Sequence, residues 1–223
     1  RLLIQPSQAR MFENGEFDTV YHEHLSFFNT RSMTKLAQRA GLKLTESFLV
    51  AIHGDSPIYV LMRADAPSVA PIATAFSTGE FAIAETLVDY ESRIALYEPG
   101  IYARFAQTAR QTIESLQTMV SRHRQDGYAI VFVGAAAKAM TVLNAAQLQP
   151  DLVLDESPLK IGLHAPGSGI RIDPLSNAEQ LTQPALFILS AWNFRHELTM
   201  KLKAMRIPAE SKFYAYFPQD HFL

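Results

Sequence analysis

Cysteine is absent from this sequence of 223 residues. The chain can therefore form neither a disulfide nor a thiolate metal site, which is the pattern expected of a cytoplasmic protein. It also lacks a strong charge of either sign, since the formal net charge is −2. Nothing electrostatic thus favours nucleic acid or a membrane surface as a partner. No apolar run approaches the roughly 18 residues of a membrane span, and the first residues show no signal-peptide pattern.

The apolar content is nevertheless sufficient for a packed core. Hydrophobic residues make up 48% of the chain and charged residues 19%, so disorder is not expected. The length allows one large domain or two small ones. The strand-like run Leu2-Leu3-Ile4 follows Arg1 without a lead-in, and we expect the chain to be part of a longer polypeptide.

Residues 1–66 have the pattern of an α/β segment that ends in a hairpin. A helix is predicted at Ser32–Ala40, with Thr30 or Ser32 as its N-cap and Gly41 at its end. Two antiparallel strands after a helix are a common ending for an α/β sheet. The predicted strands are Leu2–Ile4, Phe17–Glu23, Leu42–Val50 and Ile58–Met62.

Residues 67–125 predict a linker followed by a helical connector. Apolar residues recur at helical spacing over residues 80–124, with a break at Pro99-Gly100. From residue 126 to residue 223 strands alternate with helices, which predicts a mostly parallel sheet. The predicted strands are Ala129–Val133, Leu152–Asp155, Ala185–Ser190 and Lys212–Phe217, and the predicted helices are Ala139–Ala146 and Leu198–Met205.

Gly134 stands where a predicted strand passes into a helix. Such a turn presents amides at a helix N-terminus, which favours phosphate, while Ala135 is small and Lys138 adds a positive charge. The sequence has neither the three glycines of a Rossmann loop nor the Gly-Lys-Ser/Thr of a P-loop, so a tight structural turn is the alternative. Asp155 and Lys160 follow the next strand at the carboxyl edge, where open α/β sheets bind ligands. Asp155 is either a ribose or base ligand or a helix cap.

The segment Tyr21-His22-Glu23-His24 concentrates groups that can move protons. Imidazole titrates nearest neutral pH, a neighbouring carboxylate can orient the ring, and a phenol can donate to a developing oxyanion. On a strand, His22 and His24 would share one face. Two alternatives stay open: a His-x-His metal site, although the spacing does not match a cupin, and histidines that are buried for structural reasons.

Residues 17–28 resemble the FDTIYHEHLSYF motif of the sugar C-methyltransferases, which methylate a carbon of a nucleotide-linked keto-deoxysugar with S-adenosylmethionine. Further segments resemble motifs of the same family in the same order. Residues 133–139 match its VYGAxxKG turn, residues 155–162 its D-x-x-P-x-K-x-G run, and residues 165–167 its PG loop. Residues 191–194 are similar to its AWNF-type segment. The resemblance covers nearly the whole chain.

This resemblance implies an α/β fold of three parts. Residues 1–66 would be the end of a class I methyltransferase-type sheet, residues 67–125 a helical connector, and residues 126–223 a second, Rossmann-like α/β domain. The glycine-rich loop that binds S-adenosylmethionine in the family is expected upstream of this chain. Zinc would belong only to the family's N-terminal cysteine cluster, so no metal is expected here. The family's HGGS turn is replaced by His53-Gly54-Asp55-Ser56, and Ala139 stands where the family has glycine.

The resemblance also assigns roles to residues. His24 would be the general base that removes a proton from the carbon next to the ketone, while Tyr21 and Glu23 orient it or polarise the carbonyl. Whether His22 or His24 reaches the sugar stays open. Substrate contacts would come from the carboxyl edge of the second sheet, with His53 as a secondary candidate. The implied substrate-binding residues are Gly134, Ala135, Lys138, Asp155, Lys160 and His53.

Two other functions remain compatible with the sequence. One is a non-catalytic domain that binds a nucleotide sugar or serves as a scaffold, with the α/β turn retained. The other is a small oxidoreductase-like α/β domain, which the missing dinucleotide fingerprint disfavours. The partner expected in the first two cases is a nucleotide sugar, and the sequence leaves the oligomeric state open.

Overall fold

The computed structural model describes residues 1–6, 10–50, 55–73, 82–217 and 221–223. Within these ranges the chain forms two compact units. The N-terminal unit contains Arg1–Glu13 and His22–Phe105, and the C-terminal unit contains Asn14–Tyr21 and Ala106–Leu223. The chain is thus an α/β protein, as predicted, while the class I arrangement and the domain boundaries at residues 66 and 125 stay predictions.

The N-terminal unit is built on an antiparallel sheet of four strands with the order β1-β3-β2-β4. Leu49, Tyr59 and Leu61 on this sheet pack against Met33 and Tyr90 from its helices. The strands are β1 (Leu2–Ile4), β2 (Leu42–Val50), β3 (Ser56–Arg63) and β4 (Ile83–Thr86). The helices are α1 (Met11–Asn14), α2 (Thr30–Arg39), α3 (Leu87–Arg93) and the start of α4 (Pro99–Gln125).

Helix α2 follows the predicted position but begins with a different cap. Asn29 is the N-cap: its side-chain oxygen accepts the Ser32 N–H at 2.8 Å, and the Ser32 hydroxyl accepts the Asn29 N–H at 2.9 Å. The prediction of Thr30 or Ser32 as N-cap was therefore wrong, because the reciprocal bonds place the helix start one residue earlier. Gly41 ends the helix at φ +69°, as expected of a glycine stop.

Two predicted elements of the N-terminal half differ in the structure. The predicted strand Phe17–Glu23 was wrong: Phe17–Thr19 is a turn of 3-10 helix, and its three residues are all buried. A strand with one solvated face would have alternated buried and exposed residues. The helical pattern over residues 80–124 predicted no strand there. The structure instead has β4, a strand of four residues that pairs with β2.

The C-terminal unit carries a six-stranded sheet with the order β10-β9-β8-β5-β6-β7. Its strands are parallel except β10, which runs antiparallel to β9. All residues of β5 and β8 are buried, as expected of strands covered on both faces. The strands are β5 (Ala129–Val133), β6 (Leu152–Asp155), β7 (Ile172–Pro174), β8 (Ala185–Leu189), β9 (Lys212–Ala215) and β10 (His221–Phe222), with helices α5 (Ala137–Ala145) and α6 (Arg195–Lys203).

The described residues contain neither a membrane-spanning helix nor a metal-binding cluster. No helix among them is long and apolar enough to cross a membrane. In the same parts of the chain, no group of three or more His, Cys, Asp or Glu side chains is arranged to hold a metal ion.

Candidate active site

A cleft of about 300 Å³ lies at the carboxyl edge of the parallel sheet in the C-terminal unit. Its position follows from the topology, because β5 ends at Val133, β6 ends at Asp155, and α6 begins shortly after β8. This edge of an open α/β sheet is where ligands bind. The cleft is lined by Val133, Gly134, Ala136, Leu154, Asp155, Glu156, Lys160, Leu175, Ala191, Phe194, Glu197 and Leu198.

Asp155 organises one wall of this cleft. One carboxylate oxygen accepts the Ala135 N–H at 2.6 Å and the Lys160 ammonium at 3.1 Å, and the other accepts the Ser157 N–H at 2.7 Å. Burial by itself raises the pKa of Asp155, but the two N–H groups and the Lys160 charge outweigh it and hold the pKa below its ordinary value. Asp155 is therefore an ionised side chain that ties the α5 turn to the loop after β6.

Gly134 is required by the protein's own packing. Its φ of +102° is disfavoured for other residues, and a Cβ there would lie 2.7 Å from the Ala191 Cβ. The neighbouring β8 end approaches the turn closely, because the Ser190 hydroxyl donates to the carbonyl oxygens of Val133 and Gly134 at 2.9 and 2.6 Å. This contact favours the tight structural turn that the sequence left open.

The two lysines singled out by the sequence lie in different surroundings. Lys160 lines the cleft and donates to Asp155. Lys138 is half-buried, and its ammonium lies 5.4 Å from the centre of the Trp192 ring. It is not among the described residues that line the cleft. The structure therefore brings Gly134, Asp155 and Lys160 together at the cleft, with Ala135 bonded to Asp155, and turns Lys138 towards Trp192.

The segment from Tyr21 to His24 is a surface loop. The His22 and Glu23 side chains are 83% and 68% exposed, with 3.8 Å between the His22 Nε2 and the Glu23 Oε1. His24 is half-buried, and its ring meets the Phe27 ring edge to face at 6.3 Å between centroids. Because the segment is not a strand, the expectation that His22 and His24 share a strand face was wrong. Neither histidine is enclosed in a core.

His53, the secondary candidate, lies outside the described residues.

The structure reveals two buried carboxylates that sequence reasoning missed. Asp18 is 0% exposed and Glu16 is 8% exposed, and burial raises the pKa of both against the opposing charge of Lys138. The signal that could have revealed them is a pair of acids on either side of Phe17, directly before the Tyr21–His24 loop.

Replacing Asp155 with asparagine is expected to lower the free energy of unfolding by about 1–3 kcal/mol at neutral pH, because the amide cannot satisfy the same donors. A carboxyl with a depressed pKa stabilises the fold above the ordinary Asp value of about 3.9, and this contribution is lost as the pH falls through the folded-state pKa. Urea unfolding of Asp155→Asn between neutral and acidic pH should therefore show a difference that shrinks below that value. The exposed Asp126→Asn provides the matched control. An Asp155→Asn difference that did not shrink in acid would contradict this reading of Asp155.

A mostly parallel sheet with a cleft at its carboxyl edge is the arrangement in which open α/β domains bind ligands. Residues 74–218 match the family model described as the C-methyltransferase C-terminal domain. The chain belongs to this family, which is a family of methyltransferases. The matched range includes Gly134, Lys138, Asp155 and Lys160, whereas Tyr21–His24 precede it.

The chain is also similar to a curated relative. C-methyltransferase NovU from Streptomyces niveus is 28% identical to it over 199 residues, which are 86% of this chain and 44% of NovU. The chain thus spans less than half the length of this relative.

Proposed function

We propose that this chain is part of an S-adenosylmethionine-dependent C-methyltransferase that methylates a carbon next to the keto group of a nucleotide-linked sugar. The family match supports the reaction class. The observation that carries the proposal is the surface position of the Tyr21–His24 loop, where His24 is half-buried beside Phe27 and open to a substrate. A histidine kept only for packing would have been enclosed.

The proposed role of His24 is that of the general base. Its neutral imidazole takes the proton from the carbon next to the ketone, and the C–H electron pair passes into the enolate. Tyr21 would donate a hydrogen bond to the enolate oxygen, and Glu23 would orient an imidazole and stabilise its protonated form. The adjacent His22 and Glu23, 3.8 Å apart, show that the loop brings a carboxylate next to an imidazole.

S-adenosylmethionine would supply the methyl group to this enolate. The glycine turn after β5 does not fit the cofactor as a glycine-rich loop would, because a Cβ at Gly134 would already meet the Ala191 backbone nitrogen at 3.1 Å. We therefore assign no residue of this chain to the cofactor and derive no step through it.

The cleft of the C-terminal unit is the proposed site for the nucleotide part of the substrate. Its volume of about 300 Å³ is at the lower end of the range for small-molecule pockets. The Asp155 Oδ1 accepts the Ser157 N–H, and a carboxylate oxygen with one donor retains a lone pair for a hydroxyl group of the ligand. Lys160, with its side chain 40% exposed, can turn from Asp155 to a phosphate oxygen.

A non-catalytic nucleotide-sugar-binding domain is the alternative function. It is favoured by one observation, namely that the cleft is lined entirely by residues of the C-terminal unit. This unit could therefore keep a ligand-binding function without any methyl transfer.

Isothermal titration calorimetry of the full-length gene product with dTDP-glucose, followed by a methyl-transfer assay, tests both functions. Lys160→Met is expected to weaken binding about 10–100-fold, because a charge-assisted hydrogen bond contributes about 1.5–3 kcal/mol. Lys203→Met, an exposed lysine that covers Phe213, is the matched control and should bind normally. Binding without methyl transfer to any keto-sugar nucleotide would favour the non-catalytic domain. A Lys160→Met variant that binds as tightly as the parent would contradict the cleft assignment.

A further inference from the structure

Asp18 is a completely buried carboxylate three residues before Tyr21. Its Oδ2 accepts the Trp192 indole N–H at 3.0 Å, and no side chain of the described residues donates to its Oδ1. Burial raises the pKa of Asp18, against the opposing effects of the Lys138 charge and the Trp192 hydrogen bond. An acid in such a place is costly, because removing a carboxylate from water lowers stability.

The donor to Asp18 is itself fixed in position. Trp192 is 6% exposed. Its ring packs edge to face on the Phe217 ring, with 5.9 Å between centroids. The Phe17 ring also packs on the Phe217 ring, with 5.8 Å between centroids. Lys138 covers the Trp192 ring from 5.4 Å. The indole N–H therefore comes from the segment directly after β8, and the ammonium comes from α5.

The chain between Asp18 and the candidate catalytic residues is short. Three residues span at most about 10–11 Å, so the position of Asp18 limits where Tyr21 can lie. The Asn14–Tyr21 segment belongs to the C-terminal unit, and the chain passes to the N-terminal unit directly after Tyr21. The Asp18–Trp192 hydrogen bond therefore ties this segment to the C-terminal unit shortly before the Tyr21–His24 loop begins.

We propose that Asp18, held by the hydrogen bond from Trp192, is a positioning residue that fixes the start of the Tyr21–His24 loop for proton abstraction. The inference rests on the proposed function. A positioning role explains why this buried site holds an acid, although an apolar residue there would give a more stable fold. Such local costs in stability are tolerated at functional sites. It also gives Lys138 a role other than a phosphate contact: its charge lowers the cost of the buried carboxylates Asp18 and Glu16.

The test compares variants of the full-length methyltransferase by steady-state kinetics with its keto-sugar nucleotide. Trp192→Phe keeps an aromatic ring but removes the N–H donor, and it is expected to lower kcat about tenfold or more with KM for the sugar nucleotide within about twofold. Asp18→Leu should behave in the same way. Asp18→Asn retains an oxygen that accepts the Trp192 N–H, so it should restore most of kcat although the charge is gone.

Gln117→Met is the matched control, since it removes a side-chain N–H that donates to the Ala146 carbonyl at 3.0 Å in the same unit. It should leave kcat unchanged. Equal kcat for Trp192→Phe and the parent would overturn the positioning role while leaving the proposed function intact. The same holds if Asp18→Asn were as slow as Asp18→Leu. A parent protein without any methyl transfer would instead contradict the proposed function, and this inference with it.

Discussion

Replacing His24 with alanine in the full-length methyltransferase is expected to lower turnover about 10²–10⁴-fold, the range that a positioned acid–base group contributes. The side chain is half-buried on a surface loop, so its removal should leave the fold intact. The loss should therefore fall on kcat, with an unchanged melting temperature and little change in the affinity for the sugar nucleotide. Initial rates of methyl transfer at saturating substrate measure this effect.

Two other histidines make the result specific to His24. His196 is exposed on α6, so His196→Ala should retain normal turnover. His22→Ala tests the neighbouring imidazole, whose side chain is 83% exposed. A full loss in His22→Ala with near-normal turnover in His24→Ala would show that His22, and not His24, is the base. Near-normal turnover in both variants would reject the proton-abstraction role of the loop.

The second large effect is expected at the turn after β5. Gly134→Ala should lower the free energy of unfolding by about 2–6 kcal/mol, because the strained backbone and the forced contact each contribute about 1–3 kcal/mol. The new Cβ would lie 2.7 Å from the Ala191 Cβ, at a φ of +102°. For a chain of this size, each kcal/mol corresponds to a decrease of about 2–4 °C in Tm. Thermal unfolding by circular dichroism gives the comparison.

Gly127→Ala separates the two causes of this loss. Gly127 also has a positive φ, +84°, but a Cβ there meets nothing within 4 Å. This variant should therefore lose only about 1–2 kcal/mol, the cost of a left-handed conformation for an L-residue. If Gly134→Ala and Gly127→Ala were equally stable, the close approach of Ala191 would not be the reason for glycine at position 134.

The strands of the parallel sheet could be predicted from the sequence because burial on both faces leaves a continuous apolar run. Ala129–Val133 and Leu152–Asp155 have in the structure the bounds that the sequence predicted. The carboxyl edge follows from these strands, which is why the sequence could place Gly134, Asp155 and Lys160 at one edge of the sheet. Side chains at strand ends are placed by topology alone, without knowledge of packing.

The remaining features depend on contacts that are distant in the sequence. The Asp18–Trp192 hydrogen bond joins residues 174 positions apart, and no local pattern predicts it. The predicted strand at Phe17–Glu23 failed for the same reason, since tertiary contacts bury Phe17, Asp18 and Thr19 together. The position of Lys138 in the turn predicts a contact with the substrate. In the structure its place on α5 directs the side chain over the Trp192 ring.

The most direct measurement of the central claim is solvent exchange at the carbon next to the ketone. In D₂O without S-adenosylmethionine, the full-length protein should incorporate deuterium at that position of a keto-sugar nucleotide, as followed by ¹H NMR, because the base acts before the methyl group is transferred. His24→Ala should slow this exchange about 10²-fold or more, while His196→Ala should not. Exchange at the parental rate in His24→Ala, under conditions where the parent transfers methyl groups, would contradict the account.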